Sequence, residues 1–162
     1  MKNWGTTKAV RTSQIPGSLK KFRQTAWPFQ QTFLTPPKRV DPFVATILTV
    51  GKIESCCLTL DKIVFEPKNM GSLLPRYKIL DNLKSGVSIN ASTRDECRVL
   101  LQAALSDPVD VAFVPTPKTF SLFADHDQFT TFFAHRQSGL RHIVKALTDL
   151  DFKAIPDYIR RF

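Results

Sequence analysis

Three apolar runs follow one another closely between Val109 and Phe133, in VDVAFVPTPKTFSLFADHDQFTTFF, and this stretch most constrains what the chain can fold into. Val109, Val111 and Phe113 alternate with Asp110 and Ala112 until Pro115-Thr116-Pro117-Lys118 breaks the run. Phe120, Leu122 and Ala124 then restart it, and Asp125-His126-Asp127-Gln128 separates them from a third run, Phe129 to Ala134. Period-two alternation punctuated by turn residues is the signature of strands joined in a meander, so this stretch predicts the centre of a sheet.

The rest of the chain supplies helices to cover such a sheet. Thr93 followed three residues later by Glu96 forms a capping box, with Ser92 and Asp95 as the one-residue alternative. Cys97, Leu100, Leu101 and Ala104 continue from it at i, i+3, i+4 and i+7, a single helical stripe that Asp107-Pro108 ends. Leu140, Ile143, Val144 and Leu147 form a second stripe, with Ser138 as the expected cap. Tyr77, Leu80 and Leu83 predict a short helix over Arg76 to Lys84. The β-branched run Val44 to Val50 reads as a strand, as do Leu58 to Phe65 and the short Val87 to Asn90. Ile155 to Ile159 reads as an edge strand, because Pro156 has no donor for a central ladder. Connections too short for regular βαβ crossovers predict an α+β single domain: an antiparallel or mixed sheet with two to three helices packed on one face.

Charge divides the chain. Eight of its 23 basic residues and none of its 14 acidic ones fall within residues 1–40, leaving 15 against 14 over residues 41–162. Residues 1–40 therefore read as a basic N-terminal arm running into an aromatic strap, and residues 41–162 as the α+β globular domain. Three roles compete for the arm: a solvated extension, a contact arm for a phosphate backbone or an acidic protein, and an organelle transit peptide, against which Ile15-Pro16-Gly17 would interrupt an amphipathic helix. From residue 22 to 42, Phe22, Trp27, Phe29 and Phe33 appear among Gln, Thr and Pro. Aromatics beside Lys20, Lys21 and Arg23 suit either an extended cover across the domain's own core or a stacking surface for single-stranded nucleic acid.

Chemistry is sparsely signalled. Asp125-His126-Asp127 places carboxylates beside an imidazole, which can orient its tautomer and raise its pKa, but the same residues are what a tight hairpin loop requires. A strand over residues 129–135 would put His126 and His135 at opposite ends, too far apart to share a metal. Cys56, Cys57 and Cys97 have no zinc spacing and read as buried thiols of a reducing compartment, with a redox pair as the alternative. The sequence contains no nucleophile elbow, P-loop, dinucleotide turn or zincin helix. No catalytic residue, metal ligand or cofactor is assigned, and with no apolar run long enough to span a bilayer the protein is expected to be soluble and cytoplasmic.

The segment FSLFADHDQFTTFFAHRQSGLRHIVKALTDLDFKAIPDYIRRF resembles the C-terminal part of small bacterial immunity proteins that accompany secreted polymorphic or contact-dependent growth inhibition toxins. The likeness rests on a strand ending in ADHD, the aromatic strand FTTFFA, a helix beginning SGL and the terminal DYIRRF, about the last quarter of the chain. These residues set shape, and the resemblance brings no site residue with it. It implies one α+β domain that binds a cognate toxin, blocks its active site and has no catalysis of its own. The expectation is thus a non-catalytic protein-binding module whose contacts include Lys20, Lys21, Arg23, Trp27, Asp125, His126 and Asp127. The alternative is a nucleic-acid-associated protein that uses residues 1–40.

Overall fold

A computed structural model of the chain describes residues 10–13, 18–73 and 83–162. Its eight strands among these residues are β1 (Val10–Ser13), β2 (Phe29–Leu34), β3 (Ser55–Ile63), β4 (Ser88–Ala91), β5 (Val109–Thr116), β6 (Ser121–Ala124), β7 (Phe129–Ala134) and β8 (Ala154–Ile155). They form one sheet in the order β1-β4-β3-β5-β6-β7-β2-β8, and every pairing is antiparallel. Five helices among the described residues accompany it: α1 (Ser18–Gln24), α2 (Val40–Val50), α3 (Lys68–Leu73), α4 (Arg94–Ser106) and α5 (Gln137–Asp149). The fold is a single-domain α+β architecture, with β5, β6 and β7 as the meander that the sequence predicts.

One face of the sheet carries the main core. Val109, Val111 and Phe113 of β5, Leu122 and Ala124 of β6, and Phe132 and Ala134 of β7 point to the same side as Leu58 and Leu60 of β3. Helices α2, α4 and α5 close over them, with α2 touching both of the others. Thr93 accepts the Glu96 backbone N–H at 3.2 Å, while the Glu96 carboxylate accepts the Ser92 N–H at 3.2 Å, so the capping box at the start of α4 forms with its return bond one residue early. Phe132 lies at the centre, with the rings of Phe33, Phe43 and Phe120 edge-on to it at 6.0, 6.3 and 5.6 Å.

Three expectations change, and the edge strand expected over Ile155 to Ile159 shortens to Ala154–Ile155. Val44 to Val50 is not a strand but the body of α2, because Val40, Phe43, Val44, Ile47 and Leu48 repeat at helical spacing and burial of that stripe outweighs β-branched propensity. Ser138 lies inside α5, whose N-cap is Arg136. Phe29 and Phe33, expected in a strap lying over the domain, belong to β2, which is bonded on both sides by β7 and β8. Chain before and after residue 40 thus builds the same sheet. The helix expected over Arg76 to Lys84 lies mostly outside the described residues.

Among the described residues, the second face of the sheet is covered by less material. Phe22 of α1 and Trp27 pack on Phe123 and Phe133, and the C-terminal Phe162 closes onto the same group. The register of β3 against β5 shifts between Leu60 and Lys62, and Asp61 at that bulge meets Arg23 of α1 in an ion pair. Phe22 and Trp27 therefore do act as a cover, on the face that the long helices leave open.

Removing the central ring tests this account of the core. Phe132→Ala is expected to lower the free energy of unfolding in urea by about 3–5 kcal/mol. Phe65→Ala, at a side chain 72% exposed, should change it by less than about 0.5 kcal/mol. Equal effects would contradict the placement of Phe132.

Candidate functional site

The turn joining β6 to β7 is built by Asp125. Its Oδ1 accepts the backbone N–H groups of Asp127 at 3.0 Å and Phe129 at 2.9 Å, and its own N–H donates to the Phe129 carbonyl. These bonds hold Gln128 in the left-handed region at φ 68°. The second carboxylate oxygen accepts from Arg160 Nη2 at 2.8 Å, in an ion pair whose side chains are only 10% and 8% exposed. Arg160 also donates from Nε to the Thr131 hydroxyl at 3.0 Å, and its guanidinium lies 4.9 Å from the Phe123 ring centre. Gln30 of β2 bonds both the N–H and the carbonyl of Arg160, fixing the tail against the sheet.

His126 is committed in a similar way. Asp110, on the outward side of β5, accepts both the His126 backbone N–H at 2.8 Å and its Nδ1–H at 2.7 Å through one oxygen. That hydrogen bond is the main reason the imidazole pKa is raised above its ordinary value of 6.5; partial burial and Lys62 oppose the rise, and the charges of Asp110 and Asp127 assist it. His126 is 27% exposed at the lip of a cleft of about 250 Å³ between the start of α2, the end of α4 and the hairpin. Asp107 on the cleft wall is turned to another task, because its carboxylate accepts the N–H groups of Asn69 and Met70 and so caps α3.

The residues singled out from sequence separate into different places. Trp27 sits near His135, at the far end of β7 from Asp125, so about six residues of strand, on the order of 20 Å, divide the two groups. Its ring is packed on Phe22, Phe133 and His135 rather than presented for stacking. Arg23 is taken by Asp61, and its guanidinium lies 5.9 Å from the Phe162 ring centre. Lys20, Lys21 and Asp127 remain exposed. Cys56 and Cys97 are buried free thiols; a hydrogen bond to Cys97 and then burial push the Cys56 thiol far up, which leaves it without nucleophilic character near neutral pH. No group of three His, Cys, Asp or Glu side chains able to hold a metal occurs among the described residues.

Sequence reading missed Arg160 and Asp110, the two partners that decide what Asp125 and His126 do. It also missed a second concavity, of about 360 Å³, at the start of α5. Lys118, His135, Arg136 and His142 line it together with the hydroxyl-bearing Thr119 and Ser138. Nothing in their sequence spacing joins residues 118, 135 and 142; only the close approach of the β5–β6 connection to α5 does.

Titration of His126 follows from its bond to Asp110. A folded-state pKa raised above the unfolded one means that the bond's stabilisation is complete below about pH 6.5 and is lost as pH rises through the folded value. Relative to His126→Gln, the unsubstituted protein is expected to lose unfolding free energy as pH is raised from 6 into the alkaline range. Parallel pH profiles for the two proteins would contradict the pairing.

No family model, curated protein or solved structure matches this chain.

Proposed function

We propose that this chain is a non-catalytic protein-binding module, of the kind represented by immunity proteins, and that its partner is a protein with an acidic contact surface such as a cognate toxin. One observation carries this reading: the Asp125 carboxylate is spent on the fold, and most of the exposed charge without an ion pair among the described residues is basic, with Asp41, Glu54, Glu66, Asp151 and Asp157 as the acidic exceptions. Asp125 is saturated by two backbone N–H groups and Arg160, and His126 is tied to Asp110. Lys20 and Lys21 on α1, with Lys118 and Arg136, are exposed and form no ion pair among the described residues. Exposed basic groups facing an acidic partner accelerate encounter and fix orientation, which suits an inhibitor that must reach its target before the target acts.

The alternative, nucleic-acid binding through residues 1–40, draws less support. Its stacking component depends on Trp27, and that ring is already packed on three neighbours. Its charge component loses Arg23 to Asp61.

Affinity capture from source lysate, nuclease-treated and untreated, with low- and high-salt washes, distinguishes the two. The expected result is one acidic protein retained in stoichiometric amount through nuclease and high salt, whose association slows at least tenfold in the Lys20→Glu, Lys21→Glu double variant. Retention of nucleic acid alone, released as salt rises, would overturn the proposal.

A further inference from the structure

We propose that the cavity between the β5–β6 connection and the start of α5 is a binding site for a phosphoryl dianion, as inorganic phosphate or a small phosphate monoester. The cavity, about 360 Å³, is large enough for a phosphoryl group and the first atoms of its ester. Its charge comes from three separate parts of the chain: Lys118 from the β5–β6 connection, His135 and Arg136 from the link after β7, and His142 from the second turn of α5. Among the described residues no carboxylate lines it, and none of these four side chains takes part in an ion pair. Arg23, Arg98, His126, Lys145 and Arg160 are each matched with an Asp, whereas Lys20 and Lys21, like the cavity's cations, have none among the described residues. Two fixed cations and two imidazoles around one concavity, without an internal counter-charge, raise the local potential until an anion enters.

The geometry is held in advance. Gly139 lies so close to the β5–β6 connection that a Cβ there would stand 2.5 Å from the Thr119 carbonyl oxygen, so the absence of a side chain lets α5 and this connection form opposite walls of one cavity. Trp27 orders two of the basic groups: His135 packs on it at a tilt of 31° with ring centres 4.6 Å apart, and the Lys118 ammonium lies 5.5 Å from its ring centre. Side chains already ordered lose less freedom on binding. Arg136 supplies a planar fork for two phosphoryl oxygens, Lys118 a point charge, and the Thr119 and Ser138 hydroxyls short-range donors to the rest. A dianion matches the two fixed positive charges; a carboxylate would leave one unbalanced.

This inference goes beyond the protein-binding reading and needs no partner for its test. Isothermal titration of the full chain with inorganic phosphate and, separately, with glycerol phosphate, at constant ionic strength against chloride, is expected to show one saturable site with Kd at or below about 1 mM. Arg136→Ala and Lys118→Ala should each weaken binding about tenfold or more, while Lys145→Ala, at an exposed lysine further along α5, should leave it unchanged. Tighter binding of glycerol phosphate would assign the ester as ligand, and equal or weaker binding would assign free phosphate. Absence of a saturable isotherm, or equal loss in all three variants, would overturn the proposal. All three changes are at exposed side chains, and unfolding midpoints verify that each variant is folded.

Discussion

The ion pair between Arg160 and Asp125 is the contact on which the outer layer of this protein depends. Both side chains are about nine-tenths buried, so bringing them out of water is costly and is offset only if every remaining donor and acceptor is also satisfied. The surroundings meet that condition. Asp125 accepts two backbone N–H groups besides the guanidinium, and Arg160 reaches the Thr131 hydroxyl and the Phe129 carbonyl while lying near the Phe123 and Tyr158 rings. Through this one residue the end of the chain is tied to a hairpin turn and, by way of Gln30, to β2. Phe162, two residues further on, is thereby held where it can close over Phe22, Phe123 and Phe133.

The two faces of the sheet are made by different means. On the helix side, apolar residues at alternate strand positions meet three amphipathic helices, and removal of apolar surface from water dominates. The opposite face mixes aromatics with hydroxyls that pair across strands, Thr32 with Thr131 at 2.7 Å and Thr59 with Ser88 at 2.8 Å. Such pairs satisfy polar groups that burial would otherwise leave without partners. A face of this composition needs a cover that is part apolar and part polar, which is what α1, Trp27 and the terminal residues supply.

Much of this was legible where a signal is local. Alternation at Val109, Val111 and Phe113 identified β5, and the Thr93–Glu96 box located the start of α4 within a residue. The turn chemistry of Asp125 was readable because it acts on amides two and four residues away. What failed was non-local or competitive. VATILTV has strand-like composition, and its helical period emerges only when Val40 and Phe43 are counted with it. The partnership of Asp125 with Arg160 spans 35 residues, that of His126 with Asp110 spans 16, and neither leaves a trace in spacing. For the same reason the basic cavity at α5 was invisible, since its residues converge only when the β5–β6 connection meets the helix.

These contacts bear directly on function. The bonds of Asp125 describe a rigid hairpin and an anchored tail, while His126 is held through Nδ1 by Asp110 at the lip of a cleft. The exposed basic groups around α1 and the start of α5 belong to the part of the surface not used for folding. The most direct test of the claim that Asp125 serves structure is a double-mutant cycle of Asp125→Asn and Arg160→Met measured by urea unfolding. Asparagine keeps an acceptor for the turn amides and loses the charge, so the cycle isolates the ion pair. A coupling free energy of about 2 kcal/mol is predicted. Additivity within about 0.5 kcal/mol would contradict it and free Asp125 for another role.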